Sequence, residues 1–299
     1  MIGFGVIITY KEYEMGFHAD PNLNDILESM GLVPEPDSIL HFTENGQWVY
    51  KKYRERLETG RTYYLSPSGN DSNDGSQANP WKSLQFALDW VDHNLDQAGF
   101  SVVLQLADGI YDERIYTIPD TKKITIKGNT SNNKAVRLRS SADQINYIFT
   151  VRENSSLTVQ SLYFESVNNK GGILVSDGSH LLVLDCVIGT FTSTSVYAVD
   201  GGSLIDSRGI KVAANNKSIN CFLSGYGAQI RFYNSIAFES GVANTHVFYA
   251  QRLGMINIYG NITGSPSGRA TASTSSFIEG KTKLPASITQ NVGTGGQII

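Results

Sequence analysis

The feature that most restricts the fold of this 299-residue chain is a repeat of 24 to 26 residues. Sliding the sequence by 24 superposes Phe149 on Ile173 and Tyr197, Leu157 on Leu181 and Ile205, Leu162 on Cys186 and Ile210, and Phe164 on Ile188 and Val212. At steps of 25 and 26 the register continues through Tyr197, Phe222 and Phe248 in one column and Ile205, Ile230 and Ile256 in another. Within each unit apolar residues alternate over short stretches such as Leu157-Thr158-Val159 or Ile230-Arg231-Phe232, separated by Gly, Asn or Ser turns. Period two is the strand period, and no unit has room for a helix. Short strands repeating at this interval bury like residues on like by stacking coil on coil at ~4.8 Å, which makes a solenoid. A leucine-rich horseshoe needs an L-x-x-L-x-L-x-x-N motif that is absent here, and a propeller blade needs ~40 residues. A parallel β-helix remains, and the chain reads as all-β.

Composition agrees. Ser, Thr and Asn number 31, 20 and 22, while charged residues make up 17%, below the ~25% of an average soluble domain. The net charge of −4 leaves no basic footprint for a phosphate backbone, so nucleic acid is not an expected partner. The apolar stretch from Ile2 to Thr9 is too short to span a bilayer and lacks a basic flank and cleavage site. We therefore expect no signal peptide, no membrane insertion, and synthesis in a cytoplasm. Cys186 falls in one inward column and Cys221, beside Phe222, in another, so the two are expected to be unpaired. Five scattered histidines give no metal signature, and no metal or cofactor is expected.

Residues 1–61 differ from the rest. Asp20-Pro21 opens an amphipathic helix carrying Leu23, Ile26, Leu27 and Met30 and closed by Gly31; Val49, Tyr53 and Leu57 suggest a second helix. This small α-containing segment either attaches the chain to something or caps its body. Residues 62–101 read as strand Tyr63-Tyr64-Leu65, a Gly/Asn/Asp loop and a helix over 81–96 with Leu84, Leu88, Val91 and Leu95 on one face. Such a helix covers the open sheet edge at the end of a β-helix. Coils follow over 102–265, and 266–299 form a terminal coil or tail.

The residues Tyr63-Tyr64-Leu65-Ser66-Pro67-Ser68-Gly69-Asn70-Asp71, Asp74-Gly75, Asn79-Pro80-Trp81-Lys82-Ser83-Leu84-Gln85, Ala87-Leu88 and Asp108-Gly109-Ile110-Tyr111 resemble the opening of the pectin-lyase-like right-handed β-helix superfamily. The resemblance covers about residues 62–265. It implies a right-handed, single-stranded parallel β-helix with an N-terminal cap helix. That opening recurs in polysaccharide lyases, bacteriophage tail spikes and fibres, and non-catalytic virion proteins. A short N-terminal segment without a signal peptide is most like the phage members. By that resemblance the chain is expected in the virion as a homotrimeric appendage, docked to other virion proteins through 1–61 and meeting bacterial surface glycan. A polysaccharide lyase or glycoside hydrolase, and a capsid-decorating protein without ligand, are the alternatives.

Trp90-Val91-Asp92-His93 resembles a pectate-lyase motif but falls on the cap helix rather than a coil, and the other lyase and polygalacturonase signatures are missing. The 70–75 loop starts like a calcium loop, yet Trp81 stands where an EF-hand needs Glu, so turn chemistry accounts for it. Glu153 and Asp177 lie 24 apart, with Asp200 one residue short of the next place. Stacked carboxylates serve either as an acid/base pair or as a solvated turn ladder, and these three are the catalytic candidates if the chain is an enzyme. Two outward columns run Gln160, Leu184, Arg208, Tyr233, Tyr259 and Thr158, Leu182, Asp206, Arg231, Asn257. Among them Arg208, Arg231, Tyr233, Asn257 and Tyr259 compose a candidate sugar platform, rings stacking on pyranose faces and polar groups holding hydroxyls. Leu174, Leu182, Leu184 and Val187 read as outward and apolar, the candidate subunit interface.

Overall fold

The computed structural model describes residues 31, 38–42, 47–52, 54–141, 147–166 and 171–299. The chain is all-β, with parallel strands stacked in about seven turns of a β-solenoid and very little helix. It divides into two compact units.

The smaller unit takes in the described residues up to Arg56 together with His93–Asp96. It holds an antiparallel pair, Ser38–Phe42 with Trp48–Lys52, and a two-residue parallel pairing of Glu55–Arg56 with Leu95–Asp96. Val49 thus lies in a strand, not in the second helix expected from Val49, Tyr53 and Leu57. The physical reason is that four is a multiple of two, so fourth-residue spacing fits a strand as well as a helix, and the pairing with Ser38–Phe42 decides. The first expected helix, opening at Asp20, lies outside the described residues but for Gly31.

The larger unit is the solenoid. A typical coil contributes three strands, as in Ser156–Gln160, Tyr163–Ser166 and Gly171–Val175. The first row runs from Arg61–Leu65 through Val102–Leu106, Lys122–Lys127 and Ser156–Gln160 to Phe277–Glu279 and Gln297–Ile298. Long strands such as His180–Ile188 and Leu204–Val212 bend from this row into the second, so both belong to one fifteen-stranded sheet. The third row is a separate eight-stranded sheet from Ile115–Tyr116 to Ile288–Val292. Residues 266–299 carry both sheets onward, with Ser267–Ala272 and Ile288–Val292 in the third row.

The inward columns form the core. Leu157, Leu181, Ile205, Ile230, Ile256 and Ile278 stand in register and are buried. At ~1.5–3 kcal/mol per fully buried aliphatic side chain, this repeated burial is what holds the coils together. Phe222 stacks on Phe248 at 5.6 Å, and Phe232 meets Phe222 edge-on at 4.9 Å. One column differs from expectation: Ile173 pairs with Val196, and Val196 with Phe222, so the inward residue is Val196 and Tyr197 points outward beside Leu174. The third row steps 23 residues here while the first row keeps 24, because the intervening turn is one residue shorter. Cys186 and Cys221 are both buried and free.

Helix α1, Leu84–Asn94, buries Leu84, Ala87, Leu88 and Val91. Trp81 precedes it, stacked on Tyr63 at 4.7 Å and donating its indole N–H to the Asn73 carbonyl at 2.7 Å. Gly75, at φ +74°, packs so tightly on this ring that a Cβ would lie 2.7 Å from it. Two carboxylates from elsewhere satisfy the free N–H groups that open α1. Asp71 accepts from the Lys82 and Ser83 backbones, both at 2.8 Å, and Glu113 from Leu84 at 2.7 Å and Gln85 at 3.0 Å. Burial pushes the Asp71 carboxyl up, but its hydrogen bonds outweigh that and hold it below the usual aspartate value. At Glu113 burial wins over the two backbone donors, and its pKa is raised. The 70–75 loop therefore serves the cap.

Candidate glycan-binding face

The outer surface of the first row is built by register. Thr158, Leu182, Asp206, Arg231, Asn257 and Glu279 follow one another on neighbouring rungs. Beside them Gln160, Leu184 and Arg208 align, and Tyr233 and Tyr259 continue the line just past the strands Gln229–Phe232 and Met255–Ile258. Because strand alternation sends every second side chain outward, all five platform candidates share one face.

They are tied together across the rungs. The Arg231 guanidinium donates from Nε to Asp206 Oδ1 at 2.7 Å and from Nη2 to Oδ2 at 3.1 Å, a two-pronged ion pair. Burial alone would lower the Arg231 pKa, but Asp206 overcomes it and holds the group above its ordinary value. His180 Nε2 stands 3.2 Å from Asp206 Oδ2. The rings of Tyr233 and Tyr259 lie 5.4 Å apart and inclined at 32°, 41% and 48% exposed. Arg208 and Arg231 place their guanidinium carbons 5.9 and 5.7 Å from the centre of the Tyr233 ring. Asn257 Nδ2 donates to Glu279 Oε2 at 2.7 Å. Burial raises the Tyr259 pKa, and the nearby Glu279 charge adds to this, so the phenol stays protonated and able to donate. The face offers two aromatic planes with fixed polar groups around them. Its two carboxylates, Asp206 and Glu279, are three rungs apart, ~14 Å at the sheet spacing, beyond the ~9.5 Å that spans an acid/base pair in glycoside hydrolysis.

Glu153, Asp177 and Asp200 are brought into line elsewhere. The 23-residue step removes the one-residue offset of Asp200, since Val151, Val175 and Ala198 are successive partners and each carboxylate follows two residues later. All three have left-handed backbones, φ 57°, 54° and 69°, and the same turn place is filled by Tyr226, Arg252 and Thr274 in later coils. Asp177 and Asp200 are exposed, Glu153 pairs with Arg152 at 3.4 Å, and Ser176 Oγ donates to Asp177 at 2.9 Å. They line a solvated ridge rather than a groove.

The interface candidates do not form one patch. Leu182 and Leu184 are half-buried on the first row, and Leu174 is half-buried on the third. Val187 corrects the expectation of an outward apolar residue, for it is fully buried within its own chain. Its rung neighbours are Tyr163 and Lys211, and the 129–135 loop is laid along this row by Asn133 donating to the Asp185 carbonyl at 3.0 Å and Lys134 pairing with Glu239 at 2.7 Å.

His180 and Glu279 belong to this face and stand outside the outward columns read from the sequence, whereas Asp206 stands in one of them. Glu279 follows Asn257 by 22 residues just as Ile278 follows Ile256, a step shorter than the 24 to 26 of the repeat, so extending the repeat at its own period passes over it. Only the fold shows His180 two residues from Leu182 reaching across to Asp206.

No known family model matches this chain, and no curated protein sequence does. Among solved structures, the crystal structure of a GH136 lacto-N-biosidase from Eubacterium ramulus is similar at 12% identity and a TM-score of 0.32, over 80% of this chain and 67% of that one. A likeness of that size says nothing of activity.

Proposed function

We propose that this chain is the solenoid of a bacteriophage virion appendage and holds bacterial surface glycan on its first-row face without cleaving it efficiently. The observation that carries the glycan reading is the exposed Tyr233–Tyr259 pair with Arg231 pinned beside it by Asp206. Aromatic planes held just past the ends of strands stack on pyranose rings at small entropic cost, and a guanidinium pinned against Tyr233 need not be ordered on binding. The virion setting rests on the resemblance of residues 63–111 to phage β-helix proteins. Three copies then associate by a heterologous contact that takes in the half-buried Leu174 on the third row and leaves the first-row face open to glycan.

Affinity electrophoresis through host capsule and lipopolysaccharide tests the binding: retardation is expected, and its persistence in Tyr233→Ala/Tyr259→Ala would remove the platform. A native mass of one chain would end the trimer, and antibody labelling that misses assembled particles would end the virion setting.

A further inference from the structure

The two arginines at the Tyr233 ring are not equivalent. Arg231 is neutralised on both prongs by Asp206, which also faces His180, so neither Arg231 nor Asp206 has its charge to spare. Arg208 is exposed, lies over the same ring, and has no carboxylate partner among the described residues. On the same outward column, three rungs toward the N-terminus, stands Lys127, reached through Leu184 and Gln160 and likewise without a carboxylate partner among the described residues. The two cations are thus ~14 Å apart along the solenoid axis at the sheet spacing. The chain as a whole carries a net charge of −4, so a general attraction for polyanions does not explain open cations here.

We propose that the face selects an acidic glycan, with a carboxylated pyranose stacked on Tyr233 and its carboxylate held in the fork of Arg208, the polymer running along the solenoid axis towards Lys127. The proposal rests on the glycan-platform reading and names the class of sugar that platform takes. A guanidinium matches the planar carboxylate with two parallel N–H donors, and a neutral sugar leaves that fork with water alone. Arg208 is a recognition residue, and Tyr233 supplies binding common to acidic and neutral sugars.

The test uses the full chain against immobilised polygalacturonate, alginate, hyaluronate and polysialic acid, each beside its carboxyl-reduced counterpart, with dextran sulfate as a second anion. Retention of at least one carboxylated polymer, about tenfold stronger than its reduced form, is expected. Arg208→Gln should abolish that preference, so that the carboxylated polymer is retained no more strongly than its reduced form. Tyr233→Ala should weaken both, and Lys127→Gln should weaken long chains but not tetrasaccharides. Equal binding of parent and reduced polymers by the unmodified protein, an undiminished preference in Arg208→Gln, or tighter binding of dextran sulfate than of every carboxylated polymer would overturn the acidic-sugar assignment and leave the platform standing. Binding of no polymer, with Tyr233→Ala silent, would remove both.

Discussion

Two ladders of the same solenoid make a useful contrast: the turn ridge of Glu153, Asp177 and Asp200, and the strand face of Asp206, Arg231, Tyr233, Asn257 and Tyr259. Both follow from the repeat, and both stack polar side chains at the coil spacing. The ridge residues occupy left-handed turn positions, where Asp is favoured for its local hydrogen bonding and where Glu153, Tyr226, Arg252 and Thr274 also stand. Their carboxylates are satisfied, where they are satisfied, by immediate neighbours such as Arg152 and Ser176. On the strand face the bonds cross from coil to coil, Arg231 to Asp206 and Asn257 to Glu279. Alignment in a repeat is therefore weak evidence of a site, because every turn position aligns. Bonds that fix one rung's side chain by another's mark the difference, since they order a surface before a ligand arrives.

The contrast can be broken most sharply at Asp206. Asp206→Ala removes both prongs of the Arg231 pair and leaves a half-buried cation, so a loss of roughly 1–3 kcal/mol in urea unfolding is expected, together with weaker glycan retention. Unchanged stability and unchanged retention would reduce this face to the standing of the ridge.

Next in size, Tyr233→Ala should weaken glycan binding about tenfold, ~1.4 kcal/mol, in titration calorimetry, whereas Glu153→Gln and Asp177→Asn should leave it unaltered. Turnover of capsule or lipopolysaccharide, followed by reducing ends, that disappears in either carboxamide variant would reverse the ranking of the two ladders.

A smaller effect of opposite sign belongs to the ridge. Glu153 has φ 57°, so Glu153→Gly relieves a left-handed side chain and should change thermal stability by between zero and about +1 kcal/mol. A clear destabilisation would mean that the Glu153 side chain holds the turn.

The smallest effect sharpens the contrast with the third-row sheet. His246, stacked on Tyr249 at 4.5 Å and 3.0 Å from Thr271 Oγ1, has its pKa lowered by burial and by the Arg269 charge. A depressed histidine pKa means that the folded state prefers the neutral ring. The stability it contributes is full above the unfolded value of about 6.5 and is lost as pH falls through the folded value. His246→Gln should flatten the stability profile below pH ~6.5 by less than about 1 kcal/mol. An unchanged slope would place the titration elsewhere.

Much of this was legible in the sequence because the repeat writes it locally. Apolar alternation over Leu157-Thr158-Val159 and its images sets strand, inward face and stacking partner together, and the columns holding Arg208, Arg231, Tyr233, Asn257 and Tyr259 followed from that register. The same logic separated Cys186 from Cys221, which the fold leaves buried and free. What the tertiary structure alone decided depends on contacts between distant residues or on the length of one turn. A turn one residue shorter before Val196 sends Tyr197 outward and aligns Asp200 with Asp177. Asn133 and Lys134 lay a loop along the row that contains Val187, which the alternation would leave open. Glu113 closes the end of α1 from 29 residues away, and His180 finds Asp206 from a neighbouring coil. Side-chain direction on a strand is a property of the chain's own period, but which charges meet, and which surface stays wet, is set by packing between segments that no local period encodes.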